Sequence, residues 1–166
     1  MSASARPDDE QVERHHAHAL KARAQKRAHA EGLGVDAEFV SSFVDAFYAR
    51  IRGDELLGPI FAEKINDWDD HLGRMKGFWR SVLFSSGEYS GNPMVKHVAI
   101  PGLDKAHFAH WLELFYATLR DLGGNDEAVE LVGSRARMIA DSLLTGIAMK
   151  REGLAGSRAG QDLPTP

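Results

Sequence analysis

Residues 92–100 read NPMVKHVAI, a stretch in which one histidine lies among apolar side chains on a short predicted helix. Asn92 suits the N-cap of that helix, and Pro93 suits its first position, where the missing N–H would be unpaired anyway. The pattern ends at Pro101-Gly102, which leaves about two helical turns. Because so short a helix is not stable alone in water, it needs a surface against which His97 and its neighbours can pack.

Four longer segments on either side of this stretch have apolar residues at steps of three and four, the spacing of amphipathic helices. They cover approximately residues 36–51, 67–84, 104–122 and 125–151. No segment alternates apolar and polar residues with the period of two that is typical of a half-buried strand. The sequence therefore predicts an all-α fold, with LLGPIF at 56–61 as a turn-rich connector.

Composition divides the chain into three parts. Residues 1–34 are rich in Ala, Arg, Lys and His, and only Val12 and Leu20 could form an apolar stripe. We predict a polar, flexible N-terminal extension there, because even a helix would have little to bury. The predicted helical domain covers residues 35–153, and residues 154–166 are predicted to be a flexible C-terminal tail.

Length and charge exclude several functional classes. The 166 residues are 43% hydrophobic and 27% charged, with a net charge of −4 and a pI near 6.0, which is ordinary for one globular domain. We therefore expect neither nucleic acid nor a membrane as a partner. The sequence has no long apolar run and no apolar signal-like segment near its N-terminus, so a cytoplasmic location is expected.

The chain contains no cysteine, which excludes disulfides, thiolate nucleophiles and cysteine-ligated metal centres. Any metal chemistry is therefore confined to His, carboxylate, Met or Tyr ligands. His15 and His18 in the polar extension could chelate a divalent ion weakly, but a solvated arm is the favoured interpretation because no apolar shell surrounds them. We assign no role to His107 or His110, which fall at the start and on the polar side of a predicted helix.

His71 and His97 differ from the other histidines because both lie among large apolar side chains, on separate predicted helices 26 residues apart. Each alone would more often be a buried histidine satisfied by a carbonyl or water. Together they indicate a flat group held between them. Tyr48, Phe61 and Trp111 are predicted to face the same gap, although an aromatic stripe alone is more often core than a cofactor site.

Five motifs occur in one order along the chain: AFYARI with Tyr48, LGPIF, WDDHLGRMKGFW, GEYSGNPMVKH and HFAHWLELF. This ordered set resembles the group III truncated haemoglobins, over about residues 36–151. The resemblance implies a two-over-two helical sandwich around one haem b, so that residues 35–153 would form a truncated globin domain. The haem plane would also be the surface against which the short helix at residues 92–100 packs.

The resemblance implies roles for individual residues. His97 would be the proximal iron ligand, which agrees with the neutral imidazole that globin iron takes. Tyr48, His71 and Trp111 would surround the sixth coordination position as the catalytic or ligand-binding set. His71 could be a gate, a general acid–base group or a ligand of the iron when no other ligand is present, and the sequence does not choose among these roles. The remaining cofactor-binding residues would be two aromatic residues that pack on the ring and three polar residues at the propionates: Phe61, Phe78, Arg74, Tyr89 and Lys96.

We expect a protein that binds O2, NO or peroxide, with ligand chemistry, detoxification or sensing favoured over O2 transport. Two donors above the iron would slow ligand release, which a carrier does not need. Conversion of NO to nitrate would require a reductase as partner, and strong peroxidase activity is not expected because no carboxylate neighbours His97. The alternative is a haem-free helical interaction or sensor module that binds an apolar ligand or a partner helix.

Overall fold

The computed structural model describes residues 6–166; residues 1–5 of the predicted extension lie outside this range. The described chain is helical and contains no β-strand, which confirms the all-α prediction. Its elements are α1 (Pro7–Gly32), α2 (Ala37–Gly53), α3 (Gly58–Lys64), α4 (Trp68–Phe84), α5 (Pro93–Val98), α6 (Lys105–Asp121), α7 (Asp126–Glu152) and a 3-10 turn (Gly153–Gly156).

Side-chain caps set the starts of five helices. Asp36, Asp67, Asn92, Asp104 and Asn125 each accept a hydrogen bond from a backbone N–H in the first turn that follows. Such caps satisfy donors that have no partner within the helix. The predicted caps of α2, α5 and α6 are therefore confirmed.

The predicted connector at 56–61 is wrong in one respect, because the structure forms a short helix, α3, from Gly58. Asp54 explains the difference. Its Oδ1 accepts the backbone N–H groups of Leu56 and Leu57 at 3.0 and 2.8 Å, so the chain makes one tight turn after α2. Pro59 then occupies the first helical turn, where it costs no hydrogen bond.

The core lies where α2, α4, α6 and α7 meet. α2 packs on both α4 and α6, and α6 packs on α7. Phe115 of α6 is at the centre, with ring centroids 4.6 Å from Phe43, 5.1 Å from Phe47 and 5.1 Å from Trp79. Its side chain is completely buried. Burial of large aromatic side chains is a major favourable term in the folding of a domain of this size.

The ends of the chain contact this core unequally. Residues 7–25 of α1 are exposed, and contact with the body begins at Lys26 and includes the buried Ala30.

At the other end, where flexibility is predicted for residues 154–166, the tail packs on α6 and α7. Leu163 is buried, and the Tyr116 hydroxyl donates to the Pro164 carbonyl at 2.8 Å. The division into one domain with two extensions stays a prediction.

None of the helices in residues 6–166 combines the length and the apolar character that a membrane span requires.

Candidate functional site

A cavity of about 630 Å³ is lined by residues of six helices, α2 to α7. Its size is within the roughly 300–1,000 Å³ of small-molecule and cofactor sites, and its walls are mostly apolar. Every residue predicted from the sequence to form the site lines this one cavity: Tyr48, Phe61, His71, Arg74, Phe78, Tyr89, Lys96, His97 and Trp111.

His97 projects from α5, and its ring is oriented by the helix itself. Nδ1 lies 2.7 Å from the carbonyl oxygen of Pro93, one turn earlier, so an N–H at Nδ1 donates to that oxygen. This bond selects the tautomer whose Nε2 keeps a free lone pair. Nε2 has no hydrogen-bond partner within residues 6–166. The side chain is therefore arranged as metal-ligating histidines usually are, with one nitrogen held and the other available.

His71 projects from α4, and its Nε2 is buried without a hydrogen-bond partner among the described residues. Burial, followed by the nearby charges of Arg74 and Lys96, lowers the pKa of His71 to about 4. The imidazole is therefore neutral at physiological pH. Because a buried polar atom in a native protein normally finds a partner, Nε2 is suited to a water molecule or ligand that enters the cavity.

Tyr48 of α2 stands edge-on to His71, with ring centroids 5.1 Å apart. Its side chain is 5% exposed, and burial, with a smaller contribution from Tyr89, raises its pKa far above the usual value. The phenol therefore keeps its proton and can act as a hydrogen-bond donor. Phe61 of α3 closes the same corner, 5.9 Å from the Tyr48 ring.

Trp111 of α6 is held by the aromatic core. Its ring lies 5.3 Å from that of Phe47 and 5.2 Å from that of Phe115. The indole is half-buried and lines the cavity, so its N–H is a second potential donor there.

The rim of the cavity carries the polar residues. Arg74 is exposed, and its Nε lies 3.0 Å from the Asp70 carboxylate. Lys96 is also exposed, whereas Tyr89 is half-buried with its ring edge-on to Phe78 at 5.0 Å. An exposed ion pair such as Arg74–Asp70 contributes little to stability, so Arg74 can exchange partners at small cost.

Comparison with known proteins identifies the family, although no family model matches the chain. The group 3 truncated hemoglobin ctb of Campylobacter jejuni is 33% identical over 110 residues, which are 64% of this chain and 86% of the relative. The chain belongs to the group III truncated haemoglobins.

Solved structures agree with this assignment. The crystal structure of group III truncated hemoglobin from Campylobacter jejuni matches with a TM-score of 0.64 and 31% identity, over 68% of this chain and 91% of that one. A truncated hemoglobin from Tetrahymena pyriformis, in its Fe(III) form, matches with a TM-score of 0.58 and 23% identity, over 69% and 95% of the two chains. The all-α truncated globin fold, a two-over-two helical sandwich, is therefore confirmed.

This truncated haemoglobin also uses two histidines to which the sequence analysis assigned no role. His107 lines the cavity and closes a capping box with Asp104 at the start of α6. The spacing of three residues after a capping Asp was the signal for that pair. His110 binds Asp54, with 2.6 Å between Nε2 and Oδ2. No local signal announces a contact between residues 56 positions apart.

The pair of His110 and Asp54 joins α6 to the turn before α3. Burial alone would raise the pKa of Asp54, but the hydrogen bond from His110 and those from the backbone of Leu57 and Leu56 lower it. The carboxylate is thus charged and fully engaged. It connects the helix that carries Trp111 to the segment that carries Phe61.

Proposed function

We propose that the cavity binds one haem b, with His97 Nε2 as the residue that would hold its iron, and that the protein binds O2, NO or peroxide on the side of Tyr48, His71 and Trp111. The observation that carries this proposal is the state of His97. Its Nδ1 is committed to Pro93, its Nε2 is available, and it lines a cavity of cofactor size in a truncated haemoglobin.

The other residues fit a flat, largely apolar group with charged edges. Phe61 and Phe78 offer aromatic surface, while Arg74, Lys96 and Tyr89 at the rim can pair with two carboxylates. When bound, haem iron supplies a coordination position for a small ligand and electrons for redox chemistry. In the remaining space, the buried Nε2 of His71 has no hydrogen-bond partner among residues 6–166 and could bond to such a ligand.

The residues of α2, α4 and α6 determine what happens to a ligand in that space. Tyr48 and Trp111 offer donors to a ligand that carries partial negative charge, and neutral His71 can donate or accept. Each hydrogen bond contributes on the order of 0.5–1.5 kcal/mol, which is up to about tenfold in affinity. Slow release favours ligand chemistry, detoxification or sensing over O2 transport.

The reaction that this arrangement supports best is conversion of NO with O2 to nitrate. One O2 and one electron are consumed for each NO, so a reductase is the partner that sustains turnover. We expect peroxidase activity to be weak, because His97 is hydrogen-bonded to a neutral carbonyl and not to a carboxylate that would increase its basicity.

Haemin titration of the purified chain tests the proposal. We expect a Soret band that saturates at one haem per chain in wild type and a band that is lost or strongly shifted in His97→Ala. His29→Ala is the matched control, since His29 is exposed on α1 and should leave the spectrum unchanged. A Soret band that stays that of free haemin at every protein concentration would refute the proposal and favour a haem-free module that binds an apolar ligand in the cavity.

A further inference from the structure

The last two turns of α1 contact the segment where the wall of the cavity begins. Lys26 Nζ donates to Ser85 Oγ at 3.1 Å. The Arg27 guanidinium lies 5.2 Å from the centroid of the Phe84 ring, a cation–π contact with a side chain that is 3% exposed. One turn later Ala30 is buried. Residues 84 and 85 end α4, so the N-terminal helix is attached at the point where α4 ends.

The segment that follows, residues 85–92, is here named the cavity-wall loop. It starts at Ser85 in the left-handed backbone region, with φ of 55°, and it has no regular secondary structure before α5. Such a conformation is costly for a residue other than glycine and persists only where its surroundings hold it. The hydrogen bond from Lys26, which lies 59 residues earlier in the chain, is one of the contacts that hold Ser85 in this conformation.

Side chains of α4 hold the middle of the cavity-wall loop. The Tyr89 N–H donates to Ser81 Oγ at 3.0 Å, and Arg80 Nε donates to the Glu88 carboxylate at 2.8 Å. The Tyr89 ring packs on Phe78 and lines the cavity. The loop thereby places the Tyr89 side chain at the rim of the cavity.

Space is tight at the far end of the cavity-wall loop. A Cβ at Gly91 would overlap the Tyr89 hydroxyl, so the ring folds back over the glycine. The next residue, Asn92, caps α5, and His97 follows within that helix. A displacement at Ser85 therefore has only seven residues in which to be absorbed before it reaches α5.

Lys26 is not an ordinary surface lysine. It is half-buried while residues 7–25 of the same helix are exposed. Burial, and after it the nearby Arg135, lowers the pKa of Lys26. Partial burial of a charged group is unfavourable unless hydrogen bonds compensate it, and Ser85 provides such a bond.

We propose that α1 braces the cavity-wall loop, and that Lys26 and Arg27 thereby keep Tyr89 and His97 in place against a bound haem and slow its loss. Lys26 is a positioning residue in this proposal, since it acts through Ser85 and touches no cofactor. The part about haem rests on the proposed function, whereas the bracing of the loop can be measured without haem.

Haem transfer measures retention. The chain of residues 1–166 is loaded with haemin, mixed with excess apomyoglobin as acceptor, and followed at the Soret band. We expect Lys26→Ala to lose haem about three- to tenfold faster, the range for one typical intramolecular hydrogen bond. Lys26→Arg keeps a donor and should stay near wild type. Lys21→Ala, at an exposed position of the same helix, is the matched control and should change nothing.

A double-mutant cycle tests whether Lys26 acts through Ser85. Ser85→Gly removes the hydroxyl but suits the left-handed conformation, so it does not introduce backbone strain. We expect Ser85→Gly to accelerate haem loss by itself and to make Lys26→Ala almost without further effect. Additive effects of the two substitutions would show that Lys26 acts elsewhere and would overturn the proposal.

Hydrogen exchange of the Tyr89 amide in haem-free protein gives a readout that does not depend on the cofactor. We expect faster exchange in Lys26→Ala than in wild type and Lys21→Ala. A lower melting temperature with unchanged exchange and unchanged haem loss would make α1 a general stabiliser and overturn the proposal. If wild type binds no haem while exchange still responds, the brace is supported and the proposed function fails.

Discussion

The two sides of the cavity are held in different ways. Tyr48 and His71 belong to α2 and α4, helices of 17 residues that pack on each other and share the aromatic core. His97 belongs to α5, a helix of six residues in which no residue is buried. Packing in the core holds Tyr48 and His71 in place. The position of His97 depends instead on local hydrogen bonds, on contacts of α5 with α7 and on the group bound in the cavity.

This difference explains how one small domain can combine a fixed ligand pocket with an adjustable metal ligand. Side chains that contact a ligand through hydrogen bonds need a geometry fixed within a fraction of an ångström. A ligand to a metal must instead adapt its distance to the metal, which a short helix between two loops permits. Substitutions on the two sides should therefore act on different properties, folding on one side and cofactor retention on the other.

The largest effect is expected at the centre of the core. Phe115→Ala removes a ring that contacts Phe43, Phe47 and Trp79, so it should lower the free energy of unfolding by about 3–5 kcal/mol. Urea unfolding of haem-free protein measures it. Val95→Ala on α5, at a side chain that is 64% exposed, is the control and should change stability by less than about 0.5 kcal/mol. Equal losses at both positions would contradict the contrast between the two sides.

The second prediction concerns the side that carries α5. His97→Ala should leave the unfolding free energy of haem-free protein within about 1 kcal/mol of wild type, because the half-buried ring makes one local hydrogen bond. With haemin at about 100 times its dissociation constant, wild type should gain about 2.7 kcal/mol that the variant lacks. Urea unfolding with and without haemin gives both numbers. A variant that gains as much as wild type would exclude His97 as the ligand.

Much of the fold and of the cavity lining could be predicted because both depend on local rules. Steps of three and four residues decide which side chains share a helix face, and capping residues decide where a helix starts. When α2, α4 and α6 bury their apolar faces together, Tyr48, His71 and Trp111 come to line the same cavity. The roles of these residues stay predictions.

Contacts between distant polar side chains were beyond prediction. His110 with Asp54 and Lys26 with Ser85 join residues more than 50 positions apart, through turns whose directions the sequence does not reveal. The tail was also unpredictable, because its carbonyl groups are bound by Tyr116 and Arg137 and a single buried leucine, Leu163, is too short a signal. An exposed polar side chain can form hydrogen bonds with many different partners, so its sequence position does not predict the partner. An apolar stripe, in contrast, is buried in the core.

The third prediction, with a smaller effect, concerns how the stability of haem-free protein depends on pH. The pKa of His71 is about 4 in the folded protein against an ordinary histidine pKa of about 6.5, so the unfolded chain binds more protons between these values. The contribution to stability is complete above pH 6.5 and is lost as pH falls toward 4. We expect haem-free wild type to lose on the order of 1–2 kcal/mol more than His71→Leu across this window, after allowance for partial solvent contact.

The measurement is urea unfolding at a series of pH values. His29→Leu is the matched control, because it makes the same substitution at an exposed position of α1, outside the cavity. Parallel profiles of wild type and His71→Leu would mean that the imidazole is solvated in the folded protein, and would remove it from the firmly packed side of the cavity.

The smallest effect tests the donor at the packed side directly. Tyr48→Phe keeps the ring that packs on Phe61 and His71 but removes the hydroxyl, so O2 should leave the reduced, haem-loaded protein up to about tenfold faster. Tyr116→Phe is the control, since that hydroxyl is bound to Pro164 outside the cavity. Stopped-flow spectroscopy measures both rates. An unchanged rate in Tyr48→Phe, with a normal spectrum, would show that the phenol does not face the ligand and would leave Trp111 or His71 as the donor.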